Sequence, residues 1–85
     1  MARQKRSEKQ ERIQKQIAAR IKRARLAAEM TPVDIAHAIG VGYSTTVTNW
    51  ESGITLPETV NLPDLAKVLG VSLDWLLAGK GSMEE

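Results

Sequence analysis

Helix start and stop signals recur at short intervals along this sequence, and they limit most of its helices to a few turns. Thr31-Pro32 is a typical start, because Thr caps unpaired N–H groups and Pro fits the first helical turn. Gly40 is a typical stop, because glycine adopts the left-handed conformation that often follows a last turn. Ser72 and Gly79 form a second such pair. The helix that starts at Thr31-Pro32 therefore has only about two turns.

The first third of the chain predicts one longer helix. Ser7 and Gln10 have the spacing of a capping box, which starts a helix. Apolar residues then recur at intervals of three and four, as on one buried helix face, and these are Ile13, Ile17, Ile21, Ala24 and Ala28. Arg20, Lys22, Arg23 and Arg25 are distributed around the remaining surface of this helix.

The composition favours a single all-α domain. With 85 residues and no cysteine, the chain has no disulfides or thiolate metal sites to stabilise it. Phe is absent, and the alternating pattern of strands is nowhere sustained. The remaining segments predict a third short helix with Val47 and Trp50, a fourth from Asn61 or Leu62 to Gly70, and a fifth at the C-terminal end. We therefore expect five helices.

Charge is divided unevenly along the chain. Residues 1–25 hold ten Lys and Arg against two Glu, a net charge of +8, whereas residues 26–85 hold two Lys against eight acids, a net charge of −6. This asymmetry favours a basic segment that binds a polyanion, and a solvated face is an equal alternative from charge alone.

The same asymmetry, with the helix signals, predicts the domain organisation. Residues 1–12 are expected to be a basic N-terminal arm with the start of the first helix. Residues 13–79 are expected to form the folded domain, and residues 80–85 a C-terminal tail or the start of a linker.

Two short helices separated by a glycine turn have the pattern of a helix-turn-helix. The second lies within residues 40–50, GVGYSTTVTNW, which contain no Lys or Arg but several hydroxyl and amide side chains. Such side chains can hydrogen-bond to base edges in the major groove, while basic residues elsewhere bind phosphates. The pattern therefore predicts binding to double-stranded DNA.

From Ile17 to Gly79 the sequence resembles the Cro/C1-type (XRE-like) helix-turn-helix repressors of phages and bacteria. The resemblance rests on four segments in order, IAARIKRAR, MTPVDIAHAIGV, NWESG and LAKVLGVSLDWLLAGKG. It implies a compact five-helix, lambda-repressor-like DNA-binding domain with its helix-turn-helix at helices 2 and 3. It also implies a homodimer that acts as a transcriptional repressor or Cro-like regulator on a palindromic DNA operator.

The resemblance further implies which residues contact DNA. The base-reading positions fall on Ser44, Thr45 and Asn49. Positions that contact or support the DNA backbone are Arg20, Arg25, Val33, Tyr43, Thr46 and Thr48. For Arg25 an ion pair with Glu51 is an equal alternative, and both contacts can occur together. The N-terminal arm adds Arg3, Lys5 and Arg6, and the candidate dimer interface consists of Leu76 and Leu77, for which core burial is the alternative.

Two departures from the family pattern affect this assignment. Pro32 stands where the family usually has a Gln that binds phosphate, so backbone amides such as that of Val33 would have to replace it. The distance from Gly40 to Trp50 is one residue longer than the family's. We expect the turn to absorb the extra residue, with Gly42 at positive φ.

Other functional classes are weighed against this interpretation. An arginine-rich N-terminal helix also suits an RNA-binding regulator, and the fold also occurs in antitoxin-like modules that bind proteins. No spacing indicates a catalytic nucleophile with its base, so we expect no enzyme, no cofactor and no metal. Without a membrane-spanning or signal-peptide segment, we expect no membrane partner and a cytoplasmic, nucleoid-associated location.

Overall fold

The computed structural model describes residues 7–83, which form five helices and one 3₁₀ turn. The helices are α1 (Glu8–Ala27), α2 (Pro32–Ile39), α3 (Ser44–Glu51), α4 (Leu62–Leu69) and α5 (Asp74–Ala78), with the 3₁₀ turn at Thr59–Asn61. No strand occurs in this range. The predicted all-α fold of five helices is confirmed, while Arg3, Lys5 and Arg6 of the arm lie outside the described residues.

The capping boxes at the start of α1 and α2 are formed by reciprocal hydrogen bonds. The Gln10 backbone N–H donates to Ser7 Oγ at 3.0 Å, and the Ser7 N–H donates to Gln10 Oε1 at 3.1 Å. At α2 the Asp34 N–H donates to Thr31 Oγ1 at 3.1 Å, and the Thr31 N–H donates to Asp34 Oδ2 at 2.9 Å. α1 thus starts at Glu8 and runs without a break across the predicted domain boundary at residue 12.

The core consists of side chains contributed by all five helices. Each helix supplies one of the largest fully buried side chains, and these are Ile21, Ile35, Val47, Leu65 and Leu76. Trp50 and Trp75 are also buried, as predicted.

The predicted apolar stripe of α1 is correct only in its middle. Ile17, Ile21 and Ala24 are buried, but Ile13 is 39% exposed and Ala28 is exposed. Ile13 lies in the first turns of α1, and Ala28 is the C-cap of that helix.

The turn between α2 and α3 holds the additional residue. Gly40 ends α2 in the left-handed conformation with φ of 83°, and α3 begins at Ser44, so residues 41–43 are non-helical. Gly42, however, does not have a positive φ, and that expectation was wrong. Tyr43 instead adopts an extended conformation, with φ of −139° and ψ of 141°, and leads directly into α3.

Candidate nucleic-acid interface

Helix α3 presents an uncharged polar face to solvent. Val47 and Trp50 bury its inner side against the core. Thr45 and Thr48 are exposed and Asn49 is half-buried. Because residues three and four apart share one face of a helix, these three side chains lie together on the outer side. Thr48, predicted as a supporting residue, therefore shares a face with two of the predicted base readers.

The hydroxyl groups on this face differ in what they offer a ligand. Thr48 Oγ1 donates its proton to the Thr45 carbonyl oxygen at 2.9 Å. This bond leaves the Thr48 oxygen as an acceptor and its methyl group as an apolar contact. No hydrogen bond to another residue within 7–83 occupies the exposed hydroxyl of Thr45, which keeps both its donor and its acceptor capacity.

Asn49 lines a groove of mixed polar and apolar character between α3 and the following loop. The groove is lined on one side by Thr46 and Asn49 and on the other by Thr55, Glu58 and Asn61. The backbone of Asn49 is fixed, because its carbonyl oxygen accepts the N–H groups of Ile54 at 3.0 Å and Thr55 at 3.4 Å.

At the opposite end of α3, Ser44 adjoins two exposed side chains. Ser44 is half-buried and lines a shallow depression together with Val33, His37 and Tyr43. Val33 is 62% exposed and Tyr43 is 76% exposed. The predicted contact residues at the start of α2 and α3 are thus brought together around one concave surface.

The start of α2 has little capacity left to bind phosphate. The N–H groups of Thr31 and Asp34 are used in the capping box, and Pro32 has none. Only Val33 among these four residues has a backbone N–H outside the capping box, and the carboxylate of Asp34 stands in the same turn. The role predicted for the Val33 amide stays a prediction, in an unfavourable electrostatic setting.

Arg25 joins the end of α1 to the end of α3. Its Nε and Nη2 donate to the two carboxylate oxygens of Glu51 at 2.6 and 2.9 Å, and its Nη1 donates to the Met30 carbonyl at 2.8 Å. The hydrogen bond to Glu51 raises the pKa of Arg25 above its ordinary value, against the opposing effect of burial. The ion pair expected with Glu51 is present, and contact between Arg25 and phosphate stays a prediction.

Arg20 is bound to the C-terminal end of α5. Its Nε donates to the Leu76 carbonyl at 2.8 Å and its Nη2 to the Leu77 carbonyl at 3.1 Å, so the guanidinium caps the end of α5. Sequence reasoning missed this role, because the partner carbonyls lie more than fifty residues away. Of the two candidate dimer residues, Leu76 is fully buried within the protomer and Leu77 is half-buried.

Positive charge and the polar face of α3 lie on different elements. Residues 26–66, which include α2 and α3, contain no Lys or Arg. α1 instead exposes Lys9, Arg12, Lys15, Lys22 and Arg23. No helix within residues 7–83 is long and apolar enough to cross a membrane, and the same residues contain no cluster of three potential metal ligands.

Two short helices that meet at a left-handed glycine turn, the second with an uncharged polar face, define a helix-turn-helix domain. Residues 21–76 match the helix-turn-helix family model of the Cro/C1 type, and the chain belongs to this family. The match begins within α1, so the first turns of that helix precede it.

A curated relative supports the same assignment. It is an uncharacterized HTH-type transcriptional regulator of Haemophilus influenzae, 43% identical over 49 residues. The match covers 58% of this chain and 20% of the relative, so the chain matches about a fifth of the relative's length. No solved structure matches significantly.

Proposed function

We propose that this protein is a DNA-binding transcription regulator that acts as a repressor on a palindromic operator. The observation that carries the proposal is the outer face of α3, where Thr45, Thr48 and Asn49 stand together without charge. The family and the HTH-type regulator from Haemophilus influenzae support it. In this proposal α3 lies in the major groove, and the protein works on the nucleoid in the cytoplasm.

The side chains of α3 are suited to different base edges, according to the donors and acceptors that each carries. Asn49 suits bidentate pairing with the N6 and N7 atoms of adenine. Thr45 and Ser44 can donate to or accept from several base edges. Thr48 accepts from an amino group or packs its methyl against that of thymine, because its own proton is engaged within the helix. Tyr43 and Thr46 lie beside this face, and in this proposal they contact or support the DNA backbone.

The operator is proposed to be read by a homodimer. Two copies of α3 would occupy half-sites about one DNA turn, roughly 34 Å, apart. Since Leu76 is fully buried, the surface near α5 that pairs two protomers would involve Leu77 and its exposed neighbours. Sedimentation of the protein with an enriched duplex should give two chains per duplex, and one chain per duplex would contradict the dimer.

The first experiment selects random duplex DNA with the purified protein at low and moderate salt. An inverted repeat enriched at both salt concentrations is the expected result. Enrichment of nothing, with binding lost at moderate salt, would contradict sequence-specific recognition. Preference for structured RNA over every duplex would favour the RNA-binding alternative instead.

The second experiment tests Asn49 on the enriched duplex. Asn49→Ala should cost about 1–3 kcal/mol of binding free energy and relax the preference at one base pair, because a bidentate contact is lost. Gln16→Ala removes an exposed amide from α1 and serves as the control, with little expected change. An equal loss on cognate and scrambled DNA for Asn49→Ala would contradict base reading.

A further inference from the structure

The first four residues of the loop that follows α3 have no backbone N–H to offer a phosphate. The four N–H groups of residues 52–55 all donate to carbonyl oxygens of α3, at 2.9 Å for Ser52, 3.2 Å for Gly53, 3.0 Å for Ile54 and 3.4 Å for Thr55. The start of α2 is also poor in donors, as described above. A phosphate beside the C-terminal end of α3 therefore finds no backbone donor in residues 52–55.

Lys15 lies beside the loop at the C-terminal end of α3. Gln14 Nε2 donates to the Gly53 carbonyl at 2.9 Å and fixes α1 against the loop. The stem of Lys15 passes over the same glycine, since a Cβ on Gly53 would lie 3.6 Å from Lys15 Cγ. Lys15 is exposed, and the only salt bridge within residues 7–83 is the one between Arg25 and Glu51. The Lys15 stem thus lies beside the loop at the C-terminal end of α3, and no salt bridge within residues 7–83 holds its ammonium group.

The positive charge of Lys15 is complementary to the partial negative charge at the C-terminal end of α3. The C-terminal end of a helix carries a partial negative charge, which repels phosphate and attracts a cation. Arg25 already pairs with Glu51 at this end, and residues 26–66 contain no further Lys or Arg. Lys15 brings a compact, flexible positive charge to this end from α1, from a position that precedes the family match at residue 21.

We infer that Lys15 binds a DNA backbone phosphate beside the C-terminal end of α3 and so fixes the position of that helix in the major groove. The inference rests on the proposed function, which it deepens by assigning a phosphate contact outside the helix-turn-helix. The contact carries no sequence information and acts equally on every duplex.

The test compares Lys15→Ala with Lys9→Ala on the enriched and a scrambled duplex. Both changes remove one exposed positive charge from the same helix, but Lys9 lies about 120° around the helix from Lys15. For Lys15→Ala we expect weaker binding by a similar factor on both duplexes. The slope of log affinity against log salt should become shallower by about 0.9, the value for one phosphate. Lys15→Arg should restore binding.

Neutral methylphosphonates, placed one at a time along the enriched duplex, locate the contact. In each half-site one neutral linkage should weaken the wild type and have no further effect on Lys15→Ala, because the two changes remove the same interaction. Equal slopes for Lys15→Ala and Lys9→Ala, or additive effects at every linkage, would overturn the inference alone. A wild type that binds no duplex would overturn the proposed function together with it.

Discussion

At the scale of single residues, Arg25 stabilises the fold through its ion pair with Glu51, although the family resemblance assigns this side chain to DNA. The two side chains are 11% and 7% exposed, and both carboxylate oxygens are bound. Arg25→Ala leaves a nearly buried carboxylate unpaired, so we expect the free energy of unfolding to fall by about 3 kcal/mol. Urea denaturation measures this loss, and a change below about 1 kcal/mol would contradict it.

The pH dependence of the same pair follows from the raised pKa of Arg25. A group whose pKa is raised on folding contributes its stabilisation below its ordinary pKa and loses it only as pH rises through the raised value. The difference in unfolding free energy between the wild type and Arg25→Ala should therefore stay constant from about pH 7 to 9. A decline across this range would show that the pair does not account for the difference.

Arg20 is expected to stabilise the fold. Arg20→Ala removes two hydrogen bonds from a charged donor to the end of α5, so the free energy of unfolding should fall by about 1.5–3 kcal/mol. Arg23→Ala removes an exposed arginine from the same helix and should leave thermal unfolding unchanged. If both variants unfold like the wild type but only Arg20→Ala binds all DNA weakly, its main role is phosphate contact.

At the scale of elements, the two glycines of the α2–α3 turn should respond oppositely to alanine. Gly40 has a φ of 83°, so Gly40→Ala should destabilise the protein by about 1 kcal/mol through backbone strain, with no steric clash. Gly42 has no positive φ and open space around it, so Gly42→Ala should stabilise by about 0.4–1 kcal/mol. Thermal unfolding of the pair checks this, and equal losses would contradict the geometry of the turn.

The helix boundaries were predictable because their causes are local. Ser7, Thr31 and Ser72 cap the next turn through their own hydroxyl groups, and these bonds depend on spacing of only three residues. The conformation of Gly42 was not predictable, since the turn reaches α3 through an extended Tyr43 and needs no left-handed residue at position 42. α5 is a π-helix, in which hydrogen bonds join residues five apart, and no sequence signal predicted this geometry.

At the scale of the whole molecule, the site could be predicted only in part. The uncharged outer face of α3 was predictable from the sequence, because the burial of Val47 and Trp50 determines which side chains face outward. The partners of Arg20 and Gln14 lie 56 and 39 residues away, so their roles depend on packing. The position of Lys15 depends on the same packing.

The division of charge between the two ends of the chain predicts a salt effect. Deleting residues 1–6 removes Arg3, Lys5 and Arg6 and leaves the capping box at Ser7 intact. The slope of log affinity against log salt should become shallower by up to about 2.7, at about 0.9 for each lost phosphate contact, while the enriched DNA sequence stays the same. An altered sequence preference would show that the arm reads bases.

In the proposed function, the absence of Lys and Arg between residues 26 and 66 would place sequence preference and charge attraction on different elements. Substitutions on the outer face of α3 would then change the preferred bases without altering the charge of the protein. Changes at the exposed basic residues of α1 would alter the strength of binding without changing the preferred sequence. Related proteins of this kind could therefore diverge toward new target sequences and keep the same dependence of binding on salt.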